Sequence, residues 1–150
     1  MVPKDELLAY AKAELRSKGF KKRNDRWTKD TGEFTLVFFV QGSSWNKESY
    51  YIRPGVFINE LPRDGEIYGH IWRTVRADSI PQIFVDVYKF YNDYSDKSAI
   101  KKKVREFSER EARNPPDKRR EGTVDLDAEP GFKELFSASD YVLNYISENY

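Results

Sequence analysis

Apolar residues first recur at three- and four-residue intervals, at Leu7, Leu8, Ala11 and Leu15, which predicts a helix over 3–18. Pro3 suits its first turn, and Asp5 and Glu6 complement the positive end of the helix dipole. Gly19 followed by Phe20 reads as a left-handed cap with its hydrophobic contact. The pattern then turns extended. Residues 20–29 alternate loosely and carry much charge, as expected of a first strand at a sheet edge, and Asp30-Thr31-Gly32 reads as a turn. FTLVFFV within 33–41 is β-branched and aromatic on both phases, so this second strand is expected to be covered on both faces. Residues 49–61 read as a third strand, with Pro54-Gly55 marking an edge or bulge, and 66–76 as a fourth.

After residue 76 the period returns to that of a helix. Ile80, Ile83, Phe84, Val87, Tyr88 and Tyr91 fall on one face, with Asp78 or Ser79 as N-cap and Pro81 in the first turn. Residues 97–113 form a highly charged helix with a thin stripe of Ile100, Val104 and Phe107, ended by Pro115-Pro116. Residues 117–130 read as loop. An amphipathic helix over 131–149 closes the chain, with Phe132, Leu135, Phe136, Val142, Leu143 and Ile146 on one face. The expected fold is α+β: an N-terminal helix, a mostly antiparallel four-stranded sheet, helices packed on one face, and a C-terminal amphipathic helix. One domain is expected over 1–150, with 97–130 as a charged helix and loop insertion.

Composition sharpens this picture. Mean hydropathy is -0.80 and charged residues make up 34% of the chain, yet 10 Phe, 10 Tyr and 3 Trp supply enough buried area for a core. The formal net charge is only +1, so bulk charge makes no case for nucleic acid. The distribution is uneven: 101–121 holds nine basic and five acidic residues, and 122–150 holds one basic and six acidic. With no cysteine, thiolate catalysis, disulfides and Cys-ligated zinc are excluded. No apolar run is long enough to span a membrane and the N-terminus lacks a signal-peptide core, so the cytoplasm is the default location.

Candidate chemistry is sparse. There is no P-loop, GxGxxG or GxSxG, and the carboxylates are scattered. The single histidine, His70, reads as a hydrogen-bonded sheet residue or, alternatively, as a general base or metal ligand without the partners that a triad or zinc site requires. Lys101, Lys102, Lys103 and Arg105 head a basic stretch that offers phosphate contacts or, more simply, a solvated helix face with interleaved glutamates. Trp45, Tyr51, Arg53, Tyr68, His70, Trp72 and Arg73 are the candidate binding residues, since Trp, Tyr and Arg dominate binding hot spots; with Tyr51 and Arg53 on one phase and His70, Trp72 and Thr74 near them, one sheet face is either an aromatic, cationic patch or a face covered by helices. Tyr50 and Tyr51 must point to opposite faces, one into the core and one away from it.

The succession Gly19-Phe20-Lys21-Lys22-Arg23, Gln41, Ser43, Trp45-Asn46, Tyr50-Tyr51, Gly55-Val56-Phe57 and Gly69-His70-Ile71, with GFKELFSASDYVLNYI at the end, resembles a bacterial family called domain of unknown function four-three-zero-four. Gly42, Arg53-Pro54 and the long charged stretch 97–130 depart from its pattern. The resemblance implies a cytoplasmic bacterial α+β domain and offers no catalytic residues to carry over. The expected role is a non-catalytic domain that binds another protein, in an immunity-like or regulatory fashion, without metal or cofactor. Nucleic-acid binding through 101–121 is the first alternative, and an enzyme with His70 as base the second. No membrane partner is expected, and the oligomeric state is left open.

Overall fold

The computed structural model describes residues 2–43, 49–113, 123–124 and 136–150. Trp45, Phe132, Leu135 and most of the expected 117–130 loop lie outside them. Helix α1 (Lys4–Ser17) ends as expected: the Gly19 N–H donates to the Arg16 carbonyl (3.1 Å) and the Phe20 N–H to the Leu15 carbonyl (2.9 Å), with Gly19 at φ +89°. Leu7, Ala11 and Leu15 are buried on its inner face, whereas Leu8 is exposed.

The stretch 20–29 is not one strand. It folds into β1 (Lys21–Arg23) and β2 (Arg26–Asp30), which pair antiparallel across the two-residue connection Asn24-Asp25. Asn24 takes φ +57°, a conformation asparagine tolerates, so a tight hairpin forms without the glycine that usually announces one. The next turn is the one expected, with the Asp30 carboxylate accepting the Gly32 N–H at 2.8 Å. Strands β3 (Phe34–Gly42) and β4 (Tyr50–Ile58) pair over nine positions, from Phe34↔Ile58 to Gly42↔Tyr50.

Pro54 makes neither an edge nor a break, and β4 runs through it. The Pro54 carbonyl accepts the Arg73 N–H at 3.2 Å, so its missing donor falls on the side of β4 where pairing is shortest. There the expected fourth strand shrinks to β5 (Ile71–Trp72), extended only by a bridge between Ile52 and Val75. Helices α2 (Ile80–Asp93) and α3 (Lys97–Arg113) follow as expected. Ser79 accepts the Gln82 N–H at the start of α2. Ser79→Ala should lower stability by about 1 kcal/mol, read from the denaturation midpoint.

Two further short strands, β6 (Thr123–Val124) and β7 (Ser137–Ser139), precede α4 (Asp140–Asn149). Of the expected closing helix, 131–135 lie outside the described residues, and within those described the helix begins at Asp140, after a strand. Ser137 and Ala138 pair with Trp72 and Ile71, and this tertiary pairing overrides the helical spacing of the apolar residues. Among the described residues the fold is α+β, with four helices and an antiparallel sheet of seven strands rather than four, in the order β1-β2-β3-β4-β5-β7-β6. None of these helices is long and apolar enough to cross a membrane.

Alternation sorts the sheet into two faces. Phe34, Phe38, Tyr50, Ile52, Val56 and Ile58 join the buried residues of all four helices in the main core. The opposite phase carries a second, smaller cluster of Val37, Phe39 and Phe57, against which Tyr68 packs. Tyr50 is the core member of its pair, its hydroxyl donating to the Val2 carbonyl, and Tyr51 is 39% exposed on the second face.

Candidate functional site

The segment 59–70 leaves β4 and returns across the second face. Two glycines permit this. A Cβ on Gly55 would lie 1.8 Å from the Tyr68 carbonyl oxygen, and one on Gly69 would lie 2.7 Å from the Val56 nitrogen. Gly69 also sits at φ +138°, which L side chains rarely adopt.

His70 fastens the end of the segment. Its N–H donates to the Val56 carbonyl (2.9 Å), its Nδ1 accepts the Ile58 N–H (2.8 Å), and its Nε2–H donates to the Pro62 carbonyl (2.7 Å). The ring is fully buried and completes the β4 ladder beyond the reach of β5. Desolvation pushes its pKa below the ordinary 6.5; the Pro62 hydrogen bond and Glu66 oppose the shift and Arg63 adds to it. His70 is therefore a neutral structural ring with both nitrogens engaged. As a general base it has no free nitrogen, and its ring packs edge-on against Phe57 with centroids 5.2 Å apart. Helix α4 secures the same segment, Tyr141 donating to Glu66 (2.5 Å) and Tyr145 to Glu60.

Held in this way, Tyr68 closes a cluster around Arg53. The Arg53 guanidinium carbon lies 4.6 Å from the Tyr68 ring centroid and 5.1 Å from those of Tyr51 and Trp72. Its Nε is buried with no hydrogen-bond partner among the described residues, so ring faces solvate this part of the cation. Tyr68 and Trp72 pack with centroids 4.8 Å apart, and the Tyr68 hydroxyl donates to Gln41 Oε1 at 2.7 Å. Phe39, paired with Arg53 across the strands, lies 5.7 Å from Tyr68, and its other side takes the Arg26 guanidinium at 4.6 Å. Arg26 also donates to the Ile67 carbonyl, which ties the segment to β2.

Four of the expected surface residues, Tyr51, Arg53, Tyr68 and Trp72, thus meet in one cluster. Arg73 does not join them. It follows Trp72 on the opposite phase, where its charge acts on the buried Tyr94 hydroxyl. On α3, Lys103 is held by Asp93 and Glu106, both at 3.6 Å, while Lys101, Lys102 and Arg105 are exposed. Sequence reasoning missed Arg26, Phe39 and Gln41 as members of the surface. Their only signal is strand register: β3–β4 puts Phe39 opposite Arg53 and Gln41 opposite Tyr51, and β2–β3 puts Arg26 opposite Phe39. Among the described residues no group of three or more His, Asp or Glu side chains is arranged to hold a metal ion.

Fold and surface together define an α+β domain whose second sheet face carries a stacked arginine–aromatic cluster. The family described as Domain of unknown function (DUF4304) matches residues 11–106, from within α1 to within α3, and the chain belongs to that family. No curated protein and no solved structure gives a match.

Proposed function

We propose that this chain is a non-catalytic binding domain that receives an acidic protein surface on the Arg53 cluster, as a regulatory or immunity-like protein would. The observation that carries this reading is the exposed Tyr51 ring beside a half-buried arginine stacked among three aromatic side chains. Such side chains bury large area on docking at little further entropic cost, because their rotamers are already held. Charge complementarity names the partner's chemistry. By strand alternation Arg26 and Arg53 share this face beside the cluster, and Asp30 is its one strand carboxylate among the described residues.

The test is capture from lysate with wild type and Tyr51→Ala as paired baits, with nuclease treatment in parallel. Because Tyr51 is exposed, the variant should keep its fold. One stoichiometric acidic partner is expected, retained after nuclease and bound at least about tenfold more weakly by the variant. Equal retention by both baits would sink the proposal. So would a partner that vanishes with nuclease and is lost when Lys101 and Lys102 become glutamine, which is the result expected of nucleic-acid binding through α3.

A further inference from the structure

A concavity of about 440 Å³ lies on the β1–β2 side of the same sheet, apart from the Arg53 cluster. It is lined by four cations, Lys21, Arg23, Lys29 and Arg63, and by the hydroxyl-bearing side chains of Thr28 and Thr35. The register separates the two sites: Thr35 pairs with Asp30 and Phe57, whereas Phe39, two positions further along this face, pairs with Arg53.

The cations are not consumed by the fold. Lys21, Arg23 and Lys29 form no ion pair among the described residues. Asp30 is the one carboxylate of the lining, and its Oδ1 already accepts from the Gly32 N–H (2.8 Å) and Asn59 Nδ2 (3.3 Å). Arg63 is held in place: it stacks over Phe57 at 4.5 Å, and its Nη2 donates to Asn59 Oδ1 (2.9 Å) and Thr35 Oγ1 (3.2 Å). Those bonds occupy one nitrogen and leave most of the guanidinium donors for a ligand. The Thr35 hydroxyl spends its proton on Asn59 Oδ1 (2.7 Å), which leaves a positioned arginine, three further cations and the Thr28 hydroxyl around one concavity, a set that suits an anion with several oxygens. The volume falls within the range of small-molecule sites.

From this geometry we infer that the basin between the β1–β2 hairpin and Arg63 binds a small ligand carrying two or more phosphate groups. One phosphate alone would leave much of the surrounding positive charge unmatched. With no aromatic ring in the lining, recognition runs through the phosphates and not through a stacked base.

The test is isothermal titration of the full chain with inorganic pyrophosphate and with adenosine diphosphate, sulfate serving as control. Both phosphate probes should bind, and sulfate should bind more weakly. The double variant K21Q/R23Q should weaken both by at least about tenfold with its melting temperature unchanged, since β1 is exposed along its length. Tyr51→Ala should bind both probes like wild type, so failure of the docking proposal would leave this one standing, and the reverse. Absence of binding, or binding unaffected by K21Q/R23Q, overturns the inference. Tighter binding of a single-stranded oligonucleotide than of either probe also overturns it, in favour of a nucleic-acid backbone as the source of the phosphates.

Discussion

Replacing Gly55 with alanine is expected to destabilise the protein by about 3 kcal/mol or more and to lift the 66–70 segment off the sheet. The added Cβ would sit 1.8 Å from the Tyr68 carbonyl oxygen and 2.8 Å from its carbon. Both are backbone atoms, so no rotamer change relieves the clash. The segment cannot retreat cheaply, because His70 is bonded to Val56, Ile58 and Pro62 immediately beyond it. Moving Tyr68 would also separate its ring from Arg53, Phe39 and Trp72. Chemical denaturation and near-ultraviolet circular dichroism should therefore report together: a lower midpoint and a weakened aromatic signal. A Gly55→Ala variant with wild-type values in both would mean that the segment does not lie against β4.

The second large effect belongs to His70. His70→Ala should cost about 3 kcal/mol, because it strands the Ile58 N–H and the Pro62 carbonyl and leaves a cavity where a fully buried ring stood. The loss should also depend on pH. In the unfolded chain the imidazole takes up a proton as pH falls through about 6.5. In the folded chain burial holds its pKa lower, so over that interval the unfolded state binds more protons and stability falls with pH. The stabilisation from the neutral ring is thus fully present above pH 6.5 and is lost as pH falls from there toward the folded-state pKa, with a slope of at most about 1.4 kcal/mol per pH unit. The stability gap between wild type and His70→Ala should narrow between about pH 7.5 and pH 5.5. A gap that is constant or widens toward acid would show that the ring is not held neutral.

Both effects come from residues with modest sequence signals. Gly55 follows a proline and reads as an edge or bulge, yet its role is to let the backbone pass 13 residues later in the chain, at Tyr68. His70 lies in a strand-like stretch whose alternation groups it with Tyr68 and Trp72. Gly69, at φ +138°, interrupts that alternation and turns the ring inward. The hairpin at Asn24 escaped notice for a related reason: its positive φ is carried by a residue that tolerates this conformation without advertising it.

What the sequence determined by itself is local. The three helices α1, α2 and α3, the Gly19–Phe20 cap and the long strands β3 and β4 follow from contacts between residues a few positions apart, and periodicity records those contacts directly. The supply of tyrosine, tryptophan and arginine for a surface was also legible. Tertiary structure decided the rest. It chose Tyr51 over Tyr50 for exposure, through the register of β3 on β4. It joined Tyr68 to Gln41, 27 positions away, and His70 to Ile58, 12 positions away. It made a strand of Ile71–Trp72 by pairing it with β4 and β7, and one of Ser137–Ser139 by pairing it with β5 and β6. Alternation limits each strand residue to one of two faces. Which face meets the core depends on packing between segments distant in the chain, and no local period encodes that.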